Sequence, residues 1–147
     1  NFERLGITEQ VQLHQADLFP KTDTKADLIV CNPPWLPAKA AAPIERAIFD
    51  EKSQMLKGFL LGVGAHLSAH GQAWLVMSDF AEHLGLRGAN EIANLIEQAG
   101  LRVLKKHDIR PQHGKVFDTT DPLHLARSQE ITSLWCLNLA ADGQQIP

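Results

Sequence analysis

The chain has 147 residues, with 14 Lys+Arg against 17 Asp+Glu, a formal net charge of −3 and 44% hydrophobic residues. That is ordinary soluble globular composition, long enough for one sizeable core. No apolar run approaches the roughly 18–20 residues of a membrane span, and the acidic N-terminus does not read as a signal peptide. A pI near 6.2 argues against a stand-alone nucleic-acid-binding module, which usually carries a basic surplus. Cys31 and Cys136 each sit inside an apolar run, which reads as reduced, buried thiols in a cytoplasmic protein.

No internal repeat or linker divides the chain, so residues 1–147 read as one unit. Asn1 to Leu5 reads as the tail of a helix stopped by Gly6. Val11 to Gln15 alternates apolar and polar residues and reads as a strand. Ala26 to Cys31 is nearly continuous apolar sequence, as expected of a strand covered on both faces. From Ser53 to Leu67 an apolar stripe at Met55, Leu56, Phe59, Leu60, Val63 and Leu67 predicts a helix, with Ser53 as N-cap and Gly71 as the stop. Ala73 to Met77 is a third buried strand and Ala89 to Ala99 a second amphipathic helix. Leu101 to Ile109 and Ile131 to Leu139 read as the last strands. The alternation predicts an α/β fold with a mainly parallel sheet wrapped by helices.

The sharpest local signal is Asn32-Pro33-Pro34-Trp35, directly after the strand that ends at Cys31. Ligands of open α/β sheets bind beyond the carboxyl ends of the strands. Two prolines remove two backbone donors and fix φ, leaving rigid carbonyl acceptors. With the Asn32 amide and the Trp35 ring, they make a clamp that offers acceptors to an NH2 group and a flat face to a planar molecule. The plainer reading is a proline-rich turn with a core tryptophan.

A strand ending in Asn-Pro-Pro-aromatic resembles the substrate motif of class I S-adenosylmethionine-dependent methyltransferases that act on planar amines. The resemblance implies a Rossmann-like methyltransferase fold and transfer of a methyl group from S-adenosylmethionine to an amine nitrogen. It makes Asn32, Pro33, Pro34 and Trp35 the catalytic clamp. Asp17-Leu18-Phe19 matches the family position where a carboxylate meets the cofactor's adenine amine. Asp17, Leu18 and Asn32 are thereby the cofactor contacts. The implied acceptor is a nucleic-acid base, foremost in structural RNA, with a glutamine of a release-factor-like protein second. Downstream, the helix, the turn at Gly71, the strand AWLVMS and the helix ending in Ala99-Gly100-Leu101 follow the family's second half in order.

The chemistry agrees with the residues. Methyl transfer from a sulfonium is an in-line displacement whose main demand is alignment of a nitrogen lone pair. Asn32 and the Pro33 carbonyl can accept the two N–H groups of a delocalised amine, favouring the charge that develops as nitrogen attacks. No strong base is conspicuous beside the motif.

Other features weigh less. Gly62-Val63-Gly64 lies inside the helical stripe and reads as close helix packing, not a nucleotide loop. His66 and His70 are spaced i, i+4, but no cysteine or carboxylate cluster joins them, so no metal is expected. Ser78-Asp79 and Glu82-His83 either line the substrate mouth or form a polar loop with a helix cap. Arg110 to Arg127, with His113, Lys115 and His124 among Asp118 and Asp121, is either a functional flap or a solvated mixed-charge loop.

The glycine-rich turn and the ribose-binding acid of the family's first half have no counterpart here. The resemblance therefore implies the C-terminal part of a methyltransferase domain lacking its N-terminal strands, unable by itself to bind the cofactor tightly or transfer methyl groups. It also implies an unpaired edge on the Ala26–Cys31 strand, open to self-association. The alternative from another class is a non-catalytic α/β interaction domain that keeps the fold and the motif.

Overall fold

The run Leu67–Ser78 alternates buried and partly exposed side chains, the period-two pattern of a strand with one face on a core. It is the centre of the architecture. The structure, a computed structural model, describes residues 1–112, 114 and 117–140. In it β1 (Ala26–Cys31), β2 (Leu67–Ser78), β3 (Leu101–Ile109) and β4 (Thr132–Leu139) form one sheet in the order β1-β2-β4-β3. On one face of that sheet lie α2 (Gln54–Val63) and α4 (Glu91–Gln98). Short helices α1 (Phe2–Leu5), α3 (Phe80–His83) and α5 (His124–Gln129) sit between and before these elements.

The fold is α/β, but the sheet is mixed. Only β1 and β2 run parallel; β4 is antiparallel to both β2 and β3. The expectation of a mainly parallel sheet fails because, among the described residues, only the short helix His124–Gln129 lies between β3 and β4, and the chain returns antiparallel beside β3. Ala73, Leu75 and Met77 of β2 and Leu137 of β4 are fully covered by Leu56, Phe59, Leu60 and Val63 of α2 and Ile92 and Ile96 of α4. β1 is one edge of the sheet and β3 the other. Val30 of β1 stands in register with Trp74 and is 59% exposed, so β1 is not covered on both faces as its composition suggests.

Two further expectations change. Val11 to Gln15 forms no strand: it stays off the open edge of β1, which pairs only with β2, and residues 12–15 are exposed, so its alternation has no core face to cover. The expected helix from Ser53 to Leu67 stops at Val63, passes through a short turn at Gly64–His66, and β2 begins at Leu67. Gly71 therefore ends no helix. It is buried in β2, where a Cβ would stand 2.7 Å from the Ala26 carbonyl oxygen, beside the register shift in β1. His70 is a strand residue and His66 belongs to the turn, so the two do not share a helix face.

The helix cap is also a different residue. Ser53 has a left-handed backbone (φ 55) and its hydroxyl makes no cap bond. With Lys52 also left-handed, the chain doubles back. The buried Asp50 carboxylate accepts the Met55 amide at 2.9 Å and the Leu56 amide at 3.1 Å. These are the orphan donors of the first turn of α2, and a negative charge belongs at that end of a helix.

Gly62 works as the sequence suggests, by close packing, and Gly58 does the same. Cβ atoms on Gly58 and Gly62 would stand 2.6 Å from Leu18 and 2.8 Å from the Phe19 ring. One helical turn apart, they form a notch that seats both side chains. Phe19 also stacks on Phe59 and His66, at centroid distances of 5.9 and 4.4 Å. Leu18 itself is left-handed (φ 65), and the Phe19 amide donates to the Asp17 carbonyl at 2.9 Å, a strained three-residue turn. The segment 17–19 is thus locked onto α2 with the Asp17 side chain exposed.

Asp50→Ala removes both cap bonds and lowers stability by about 1–2 kcal/mol. Ser53→Ala leaves it nearly unchanged. Urea midpoints of the two variants check this, and equal losses would contradict the assignment.

Candidate active site

The chain leaves β1 at Cys31 and meets two residues that can donate no backbone hydrogen bond. Asn32 is exposed, Pro33 buried, and Pro34 and Trp35 half-buried. The Trp35 indole Nε1–H donates to Asn32 Oδ1 at 3.1 Å, so the ring fixes the amide's orientation and leaves its oxygen a second lone pair. Beyond it, Leu36 bridges to Phe49: its amide donates to the Ile48 carbonyl at 3.1 Å and its carbonyl accepts the Asp50 amide at 2.8 Å.

The Trp35 carbonyl is held by a residue that sequence reasoning missed. Arg87 is only 6% exposed, and its Nη2 donates to that oxygen at 2.9 Å. Its counter-charge is Glu82, with Arg87 Nη1 3.8 Å from Glu82 Oε2. Neither Arg87 Nε nor Nη1 has a hydrogen-bond partner among the described residues. A buried guanidinium is expensive to leave short of partners, so its one good bond, to Trp35, weighs heavily. Nothing in the sequence around Arg87 announced this role, since an arginine in a loop after a short helix is normally a surface residue.

Cavities open on both sides of the motif. Asn32, Pro33 and Trp35 wall a cavity of about 450 Å³, together with Leu36, Ile48, Phe80, Arg127 and Glu130. Pro34 faces the other way, into a cavity of about 810 Å³ that it shares with Asp17, Leu18, Lys39, Arg46 and Asp50. A third cavity, about 520 Å³, has Leu18 and Asn32 on its wall. All six residues singled out from the sequence, Asp17 and Leu18 included, therefore line cavities around one loop. Pro34 is the exception on the clamp side: it lines the Asp17 cavity and not the one that holds Trp35.

Ser78, Asp79, Glu82 and His83 do not line the Trp35 cavity. They border a separate one of about 410 Å³. Ser78 Oγ accepts the Phe80 amide at 3.0 Å and donates to Glu130 Oε1 at 2.6 Å, while Asp79 Oδ1 accepts the Ile131 amide at 2.7 Å. These are ties that fasten the end of β2 to the start of β4. Of the segment Arg110–Arg127, His113 and Lys115 lie outside the described residues. Arg127 sits over the Phe80 ring at 5.0 Å and its Nε lies 3.0 Å from Asp121 Oδ2, so this end of the segment is part of the cavity wall.

Burial pushes the Glu82 carboxyl above the usual glutamate range, against the weaker opposing pull of its own backbone hydrogen bond and Arg87. Burial likewise pushes the Cys31 thiol up to about 11, which makes it inert. Both cysteines are free and buried. Among the described residues no group of three His, Cys, Asp or Glu side chains is arranged to hold a metal ion, and no helix is long and apolar enough to cross a membrane.

Neither a family model nor a curated protein matches the chain. Among solved structures it is similar to the crystal structure of the [4+2]-cyclase SpnF, at 12% sequence identity and a TM-score of 0.56. The match covers 95% of this chain and 60% of that one, so the chain spans less than two thirds of its structural neighbour. At that identity the likeness is one of fold alone.

Arg87→Met strands Glu82 and costs about 3–5 kcal/mol, and the double variant Arg87→Met/Glu82→Gln recovers much of it. A double-mutant cycle in denaturant checks this; additive losses would contradict the pairing. The raised pKa of Glu82 also sets a pH slope. The folded chain holds this proton more tightly than the unfolded one, so stability contributed here falls as pH rises from the ordinary glutamate pKa through the raised folded value. Thermal unfolding followed against pH has a flatter slope over that window in Glu82→Gln.

Proposed function

We propose that residues 1–147 form the acceptor-binding, C-terminal part of an S-adenosylmethionine-dependent N-methyltransferase domain. The observation that carries this is the Trp35–Asn32 pair, hydrogen-bonded at 3.1 Å and walling one cavity at the carboxyl end of β1. Rossmann-like methyltransferases bind ligands at that end of their sheets, and the α/β fold here is compatible with theirs.

The residues around Asp17 fit one end of the cofactor. The Asp17 carboxylate is exposed, carries no hydrogen bond from the described residues, and borders a cavity large enough for a nucleoside. Asp17 would accept the adenine amine, with Leu18 and Met55 as the apolar wall and Asn32 at the junction with the acceptor side. No glycine-rich turn follows a described strand, so no residue is assigned to the methionine end. When bound, S-adenosylmethionine supplies a methyl group on a sulfonium.

The chain's own contribution is to present the nitrogen. Trp35, half-buried on the cavity wall, offers a flat apolar surface to a planar acceptor. The free lone pair of Asn32 Oδ1 and the Pro33 carbonyl accept the two amine N–H groups, which points the nitrogen lone pair away from them and compensates charge as it develops. Arg87 keeps Trp35 in place from behind. A flat wall of this kind favours a nucleic-acid base, foremost in structural RNA, over the glutamine of a release-factor-like protein, which has no ring to stack. Free thiols suit a reducing cytoplasm. The exposed β1 edge suits self-association when it is left uncovered.

Asn32→Ala in the full-length enzyme lowers turnover by about one to three orders of magnitude with little change in cofactor affinity. Trp35→Ala weakens acceptor binding by about 1–3 kcal/mol. Labelled methyl transfer to RNA and calorimetric cofactor titration check both; normal turnover in Asn32→Ala overturns the assignment. Residues 1–147 titrated alone with S-adenosylmethionine give no low-micromolar binding. A full-length protein that neither binds the cofactor nor transfers methyl groups points instead to a non-catalytic interaction domain.

A further inference from the structure

The cavity behind Trp35 contains a carboxylate that the proposed clamp does not use. Glu130 is 6% exposed, immediately precedes β4 and lines the cavity together with Asn32, Pro33, Trp35 and Phe80. Its setting fixes what it offers. Ser78 has one hydroxyl proton, and its oxygen already accepts the Phe80 amide at 3.0 Å. The proton therefore goes to Glu130 Oε1, 2.6 Å away. That oxygen is an acceptor and is taken. Oε2 has no hydrogen-bond partner among the described residues, yet it is not sealed from solvent as the orphaned atoms of Arg87 are.

The polar inventory of the cavity is then uneven. Asn32 Oδ1, with one lone pair committed to Trp35, is an acceptor, and Glu130 Oε2 is a second, negatively charged one. Arg127, the cation on the same wall, is engaged with Asp121 and the Phe80 ring. A ligand fits this set when it brings two donors, one for each acceptor.

Resting on the methyl-transfer reading above, we infer that Glu130 is a specificity-determining residue that selects a base of the guanine type, with a ring N–H beside its exocyclic amine. In such a base the amine meets Asn32 and the neighbouring ring N–H donates to Glu130, a charge-assisted hydrogen bond. Adenine presents a bare ring nitrogen beside its amine, and a glutamine side chain presents a carbonyl. Either sets an acceptor against a carboxylate and, as the ligand displaces solvent from the wall, leaves Glu130 without a donor, which is how a polar site rejects a near-isostere. The same contact assists the reaction. A carboxylate pulling on the ring N–H returns electron density to the conjugated exocyclic nitrogen and makes it a better nucleophile.

The test is equilibrium dialysis of the full-length protein with guanosine, adenosine and a glutamine-containing tripeptide. Saturating S-adenosylhomocysteine keeps adenosine off the cofactor side. Guanosine binds at least about tenfold more tightly than adenosine, the scale of one charge-assisted hydrogen bond. Glu130→Gln, which keeps an acceptor for Ser78 and adds an amide donor, erases that preference by weakening guanosine and relieving the mismatch with adenosine. Ser78→Ala, which frees the carboxylate to move, reduces the preference partway. Equal binding of the two nucleosides, or a preference that survives Glu130→Gln, overturns the role of Glu130 and leaves the methyl-transfer reading standing. Preferential binding of the tripeptide does the same. Retention of no acceptor at all, in a protein that also fails to hold S-adenosylhomocysteine, overturns both.

Discussion

One buried carboxylate joins the two halves of the candidate site. Asp50 gives its backbone amide to the Leu36 carbonyl, one residue past Trp35, and its side chain to the first amides of α2. The loop that presents Asn32 and Trp35 is thus tied to the same helix whose Gly58 and Gly62 seat Leu18 and Phe19. Those two side chains in turn fix Asp17. A continuous mechanical path runs from the Asn32–Trp35 loop through Asp50 and α2 to the Asp17 carboxylate. Asp50 in it is buried and Phe19 is held by packing, the kind of rigidity the two-part site proposed above needs.

The rigidity has an identifiable origin in the chain. Pro33 and Pro34 restrict φ at two successive positions, and Arg87 then fixes the next carbonyl from within the protein. The indole bond to Asn32 completes the arrangement by choosing one rotation of the amide. Each device is modest alone. Together they leave the loop few ways to relax, so the polar atoms around the cavity are held before any ligand arrives, which is where electrostatic preorganisation gains its advantage over water.

Much of this was legible in the sequence, and the parts that were not share a cause. The amphipathic stripes of α2 and α4, the strands from Leu101 and near Ile131, and the close packing behind Gly62 all follow from local periodicity. The motif after Cys31 stood out because two prolines behind an apolar run are rare and carry a direct backbone meaning. The sheet's mixed direction and the absence of a strand at Val11–Gln15 depend on which edges meet, and alternation alone does not contain that. Arg87, Glu130 and Asp50 escaped because each acts on a residue distant in sequence or through an unusual turn. Arg87 and Trp35 are 52 positions apart, as are Ser78 and Glu130. Asp50 was hidden by a plausible cap at Ser53, and only the left-handed backbone at Lys52 and Ser53 brings its carboxylate round.

The central claim is that Asp17 and the Asn32–Trp35 loop face one another across a single two-part site. A crystal structure of the full-length protein with S-adenosylhomocysteine tests it most directly. The account predicts the adenine amine on the Asp17 carboxylate, the ring beside Leu18, and the sulfur directed at the cavity walled by Asn32 and Trp35. A nucleoside bound away from Asp17, or a sulfur pointing away from Asn32, would contradict it.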